Sequence, residues 1–194
     1  MAHHQYTTEA CVLGRLPHKE ASMTLILFTR ELGLLYAHAQ NVRDVSSKLR
    51  PSLQEYSLAH ITLVRGKTGW RVTNAASIEN LYFELKHDPA KMRVCAHAVK
   101  LIATLVVGEE KNERLFDIFI SGVKALAHVA QDLKVHEVLL MVRLVHELGY
   151  VSQTPELRPW LSNTEWGGEI ETSCKPNILE AVAAVNKGIK ESQL

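Results

Sequence analysis

Hydrophobic side chains alternate with polar ones at period two through the first 80 or so residues, and from residue 86 onward they recur at helical spacing. Alternation makes strands with one buried face, and the longer period makes helices with a buried stripe, so a single switch predicts an α+β chain. The first strand reads as YTTEACVLG, ending at Gly14 before the polar loop RLPHKE. ASMTLILFT follows as a second strand. The link RELG leads into LLYAHAQ, with Gly33 supplying turn flexibility. A basic, proline-stopped insert, NVRDVSSKLRPS, separates this third strand from a fourth, QEYSLAHITLVR. Gly66 and Gly69 bracket a hairpin turn into the fifth, WRVTNAASIE. Five strands with a longer insert between the third and fourth fit an OB-type barrel, with an SH3-like barrel as the rival.

The helical half opens at Asp88-Pro89, a capping side chain followed by a proline suited to a first turn. Met92, Cys95, Val99, Ile102 and Val106 then share one stripe. Asn112 can cap a second helix carrying Leu115, Ile118, Phe119, Val123 and Leu126. A third runs from about Val135 to Leu148 and stops at Gly149. Residues 150–176 are rich in turn formers, and a last helix covers roughly 177–191. The expected division is an OB-fold nucleic-acid-binding domain over 1–80 and an all-helical domain over 81–194. The stretch ENLYFE at 79–84 falls on the boundary and is assigned no role.

Charge locates the surface that matters. The 194 residues carry a net charge of +1, but residues 1–80 hold nine Lys/Arg against six Asp/Glu, while residues 81–194 hold thirteen against fifteen. A nucleic-acid surface is therefore expected on the first half. Cys11, Cys95 and Cys174 are odd in number and far apart, which suits a reducing compartment. The N-terminus lacks an apolar run of signal-peptide length, and LIATLVVG at 101–108 is too short to cross a bilayer. A cytoplasmic protein with no membrane partner is expected.

Catalytic and cofactor patterns are missing. There is no C-x-x-C or H-E-x-x-H pair, and His136 and His146 are ten apart on different helix faces. Phosphate-cradling glycine motifs and the G-x-S-x-G elbow do not occur. The expectation is a non-enzyme without metal or cofactor.

Eight cations of the first half are candidates for binding DNA. Arg15 and Lys19 fall in the first loop; Arg43, Lys48 and Arg50 in the insert; Arg65, Lys67 and Arg71 around the last hairpin. Charge alone leaves open whether they solubilise the chain or follow a phosphate backbone. The loops they occupy favour the second, since the loops joining strands one to two and four to five flank an OB binding face. An extended insert would aim Lys48 and Arg50 at one surface. Tyr36, Tyr56 and Trp70 are candidate stacking rings, each equally placed to be core.

With these residues in view, the chain resembles the bacterial RecO family over nearly its whole length. The resemblance rests on VLGRLPHKEAS at 12–22, LFTRELGLLYAHAQ at 27–40, SSKLRPSLQEYS at 46–57, EKNERLFDIF at 110–119 and MVRLVHELGYVSQTPEL at 141–157. It implies an N-terminal OB fold, a helical second domain, single- and double-stranded DNA binding and annealing of complementary strands. It also implies cooperation with RecR and with the C-terminal tail of single-stranded-DNA-binding protein (SSB) to load the RecA recombinase. Two departures stand out. The basic run usual after the third strand is reduced to Gln40-Asn41-Val42-Arg43-Asp44, so weaker DNA affinity is expected. Of a four-cysteine zinc module only Cys174 remains, so no zinc is expected, and the family's last helices are trimmed. A second reading is an adaptor that bridges RecR and SSB with little DNA affinity of its own. For it, Lys91, Arg93, Lys100, Arg114 and Arg143 are the helical cations available to an acidic tail.

Overall fold

A computed structural model describes residues 4–18, 20–130, 132–162 and 164–192. Five strands, β1 (Gln5–His18), β2 (Ser22–Thr29), β3 (Gly33–Ala39), β4 (Ser57–Gly66) and β5 (Gly69–Asn80), close a barrel in the order β1-β2-β3-β5-β4. All pairings are antiparallel except the one that closes it, where β3 meets β5 in parallel at Ala37↔Trp70 and His38↔Arg71. That closure is the OB-fold arrangement rather than the SH3-like alternative. Inward positions of the alternating strands, among them Val12, Leu25, Leu27, Ile61 and Leu63, are fully shielded from water.

β1 does not stop at Gly14. Its register with β2 shifts between Val12 and Gly14, a bulge that bends the strand and lets it continue to His18. Pro17 is tolerated there because β4 pairs only with Gln5–Cys11, leaving the far part of β1 with one neighbour. Arg15 is consequently a strand residue, paired with Leu25, and not part of a loop.

The insert between β3 and β4 is not extended either. It is a chain of tight turns, in which Asp44 N–H donates to Asn41 O, Ser47 N–H to Asp44 O and Arg50 N–H to Ser47 O. Each hydrogen bond spans three residues, so Lys48 and Arg50 are not aimed by strand alternation. Val42 and Leu53 leave these turns to join the barrel core, with Leu49 packed beside them. The insert thus plugs the barrel while its cations stay outside.

The chain resolves into two compact units, residues 1–86 with 102–113, and residues 87–101 with 114–194. The helices are α1 (Leu81–Leu85), α2 (Pro89–Leu105), α3 (Glu113–Ala125), α4 (Leu133–Glu147), α5 (Arg158–Leu161), α6 (Gly168–Cys174) and α7 (Ile178–Ser192). In the barrel unit, Leu34 N–H donates to Gly108 O at 3.2 Å, and Trp70 Nε1–H donates to Glu109 Oε1 at 2.8 Å. Gly33, at φ +68°, lies so close to the Glu110 backbone that any Cβ would overlap it. These contacts hold residues 102–113 to the barrel, across the expected boundary near residue 80.

In the second unit α4 is the central helix, packed by α5, α6 and α7. Every residue from Val138 to Val145 is buried, and a helix covered on all sides shows only a weak amphipathic signal. α2 begins as expected: Asp88 Oδ1 accepts from the N–H groups of Ala90 and Lys91, with Pro89 in the first turn. No described helix is long and apolar enough to cross a membrane.

Candidate nucleic-acid interface

On the outer face of the barrel, register partners align side chains across four strands: Leu16 with Thr24, Thr24 with His38, and His38 with Arg71. Tyr36 lies two residues before His38, so alternation puts it on the same face. It is 55% exposed, which settles its place outside the core. Trp70 is 6% exposed and belongs to the core, its ring edge-on to Tyr6. Beside this face the β4–β5 turn carries Lys67, exposed like Arg71. Arg65 is bound internally: its guanidinium pairs with Glu109 at 3.0 Å and lies 5.3 Å over the Trp70 ring.

The insert presents Arg43, Lys48 and Arg50, all exposed. Among the described residues, none of Arg43, Lys48, Arg50, Lys67 and Arg71 makes an ion pair, so the positive field of these side chains is not cancelled locally. Lys19 lies outside the described residues. Arg15 and Arg43, 28 positions apart in sequence, meet at one cleft of about 560 Å³ on the barrel unit. The bulge in β1 carries Arg15 there, and Gln54 of the insert accepts from its Nη1 at 2.7 Å. Tyr56, whose N–H reaches back to Val12 O at 2.8 Å from a left-handed backbone (φ +63°), lines the same cleft. Two further rings complete the wall: Tyr82 and Phe83 of α1 meet edge-to-face at 5.8 Å. The sequence does not single them out, because a strand-to-helix boundary gives no sign of which rings stay in water. Two adjacent aromatics within a five-residue helix, too short to bury both, are the available signal.

The helical unit contains a buried polar centre. His136 is fully buried, with Nδ1 2.8 Å from Glu171 Oε1 and Nε2 3.0 Å from Gly122 O. Arg143, a candidate cation for an acidic partner, is also buried, its Nε–H donating to Trp160 O and its Nη1–H to Glu165 O. Burial lowers its pKa to about 10 and leaves it charged at neutral pH. It therefore ties the segment after α4 to that helix. Burial also pushes the Cys95 thiol up to about 12 and, against Ser173 and Arg143, the Cys174 thiol up to about 11. Both are thiols, not thiolates, at neutral pH. Among the described residues no three of His, Cys, Asp and Glu gather as a metal-holding group.

Comparison with known proteins adds an independent line. The family model described as "Recombination protein O N terminal" matches residues 1–82. The protein of Alkaliphilus metalliredigens named DNA repair protein RecO is 25% identical over 111 residues, 57% of this chain and 45% of that protein. The protein of that name from Dehalococcoides mccartyi is 27% identical over 195 residues, covering 94% of this chain and 75% of its own length. One from Heliobacterium modesticaldum is 28% identical over 186 residues, 88% of this chain and 66% of that protein.

Proposed function

From the match to the RecO N-terminal family model and the similarity to DNA repair proteins named RecO over most of the chain, we propose that it is a DNA-binding recombination mediator without catalytic activity. In this reading it anneals complementary single strands and, with RecR, helps to load RecA on strands coated by SSB, whose C-terminal tail it contacts. One observation carries the proposal: an OB barrel displays Arg43, Lys48, Arg50, Lys67 and Arg71 in solvent with no ion pair among the described residues. Cations so placed displace the counterions condensed on a phosphate backbone and bind without reading bases. Arg15, Lys19 and Arg65 complete the proposed set, Arg65 by exchanging Glu109 for a phosphate.

The adaptor reading draws on Arg65, whose pairing with Glu109 removes one cation from the binding face. An annealing assay separates the two. Two complementary oligonucleotides coated with SSB should pair faster with the protein present, and faster still than with SSB-free protein controls lacking the barrel cations. Annealing at the spontaneous rate, together with capture of the SSB tail peptide, would favour the adaptor.

A further inference from the structure

The cleft bounded by Arg15, Arg43, Tyr56, Tyr82 and Phe83 has a composition that backbone tracking does not require. Tyr82 remains 44% exposed and Phe83 58%, large apolar rings left in water beside guanidinium groups. Lys86 adds a third cation, its Nζ 4.8 Å over the Phe83 ring. Arg15 Nε is buried and has no hydrogen-bond partner among the described residues, so a phosphate in the cleft would meet the outer part of the guanidinium. Glu55 is the one acid among the cleft's lining residues. The side-chain amides of Gln54 and Asn80, also on the wall, are engaged with Arg15 and Arg50 and with Ser57 and Tyr82.

From this we propose that the cleft is a stacking subsite for a nucleobase of an unpaired strand, with Tyr82 and Phe83 as the platform and Arg15 and Arg43 receiving the adjoining phosphate. The inference rests on the DNA-binding reading and deepens it. Its volume lies within the range of roughly 300–1,000 Å³ typical of small-ligand sites, enough for one planar base and too confined for a duplex. Aromatic faces accept any base, and the wall amides are already bonded, so the subsite holds a strand without reading its sequence. A preference for single strands over duplex follows, because only an unpaired base can leave its stack.

The test uses the full chain and two labelled strands of equal length and charge, one normal and one abasic through its centre, titrated across a salt series. Wild-type protein should bind the normal strand about tenfold more tightly, the gain expected of roughly one stacked base. Tyr82→Ala with Phe83→Ala should abolish that difference and leave the salt slope unchanged. A 2-aminopurine in the normal strand should be quenched by wild type and not by the double variant. Equal affinity for both strands with no quenching, while salt-dependent binding persists, would overturn the subsite and leave the DNA reading intact. Absence of salt-dependent binding in wild type would sink that reading and the subsite with it. Loss of acidic-peptide capture in the double variant, with base quenching unaltered, would assign the cleft to a protein partner instead.

Discussion

Both ring nitrogens of His136 are engaged inside the helical unit, Nδ1 2.8 Å from Glu171 Oε1 and Nε2 3.0 Å from Gly122 O. A buried hydrogen-bonded pair of this kind is satisfied only while both partners are present, and removing one leaves the other polar group buried without its partner. His136→Leu or Glu171→Leu alone should therefore lower stability by about 3 kcal/mol, whereas replacing both together by leucine should cost much less. Urea midpoints of His136→Leu, Glu171→Leu and the double leucine variant check this; additive losses would show that the residues are not a pair. The sequence offered His136 only as a histidine ten places from His146. Its partner lies 35 positions away in a turn-rich stretch, and nothing local announces that contact. Tyr82 and Phe83 are legible as aromatics in the same limited sense, while the cleft that gives them a setting assembles residues 15, 43, 56, 82 and 83 through the closed barrel.

At the scale of elements, alternation and its change of period carried most of the architecture, because a half-buried strand and an amphipathic helix each write their geometry into every second or fourth residue. Elements that depart from half-burial were harder to read. β1 passes through a bulge and a proline that resemble a strand end. α4 is buried all round, so VLLMVRLV yields no single stripe. The insert between β3 and β4 shows charge and a proline in sequence, while Val42 and Leu53, which make it a plug, carry no period of their own. Leu53→Ala should destabilise the protein by roughly 2–5 kcal/mol, the range for emptying a well-packed leucine site. Thermal or urea unfolding checks it. A loss below about 1 kcal/mol would mean that the insert lies on the barrel without filling it.

At the scale of the whole molecule, a net charge near zero conceals a barrel unit that keeps Arg43, Lys48, Arg50, Lys67 and Arg71 in solvent. The plug and the charge belong to one segment: apolar residues of the insert anchor it, and Arg43, Lys48 and Arg50 ride on the anchored backbone. Lys48→Glu with Arg50→Glu should accordingly weaken DNA binding severalfold at low salt and reduce the salt slope by about two, one for each lost phosphate contact. An unchanged slope would remove both residues from the interface. The central claim, that this barrel follows a phosphate backbone, meets its most direct test in fluorescence anisotropy of a labelled single-stranded oligonucleotide across a salt series. Affinity that falls linearly with the logarithm of salt, with a slope of several units, is the predicted result. No binding to the wild-type protein even at low salt would contradict the claim.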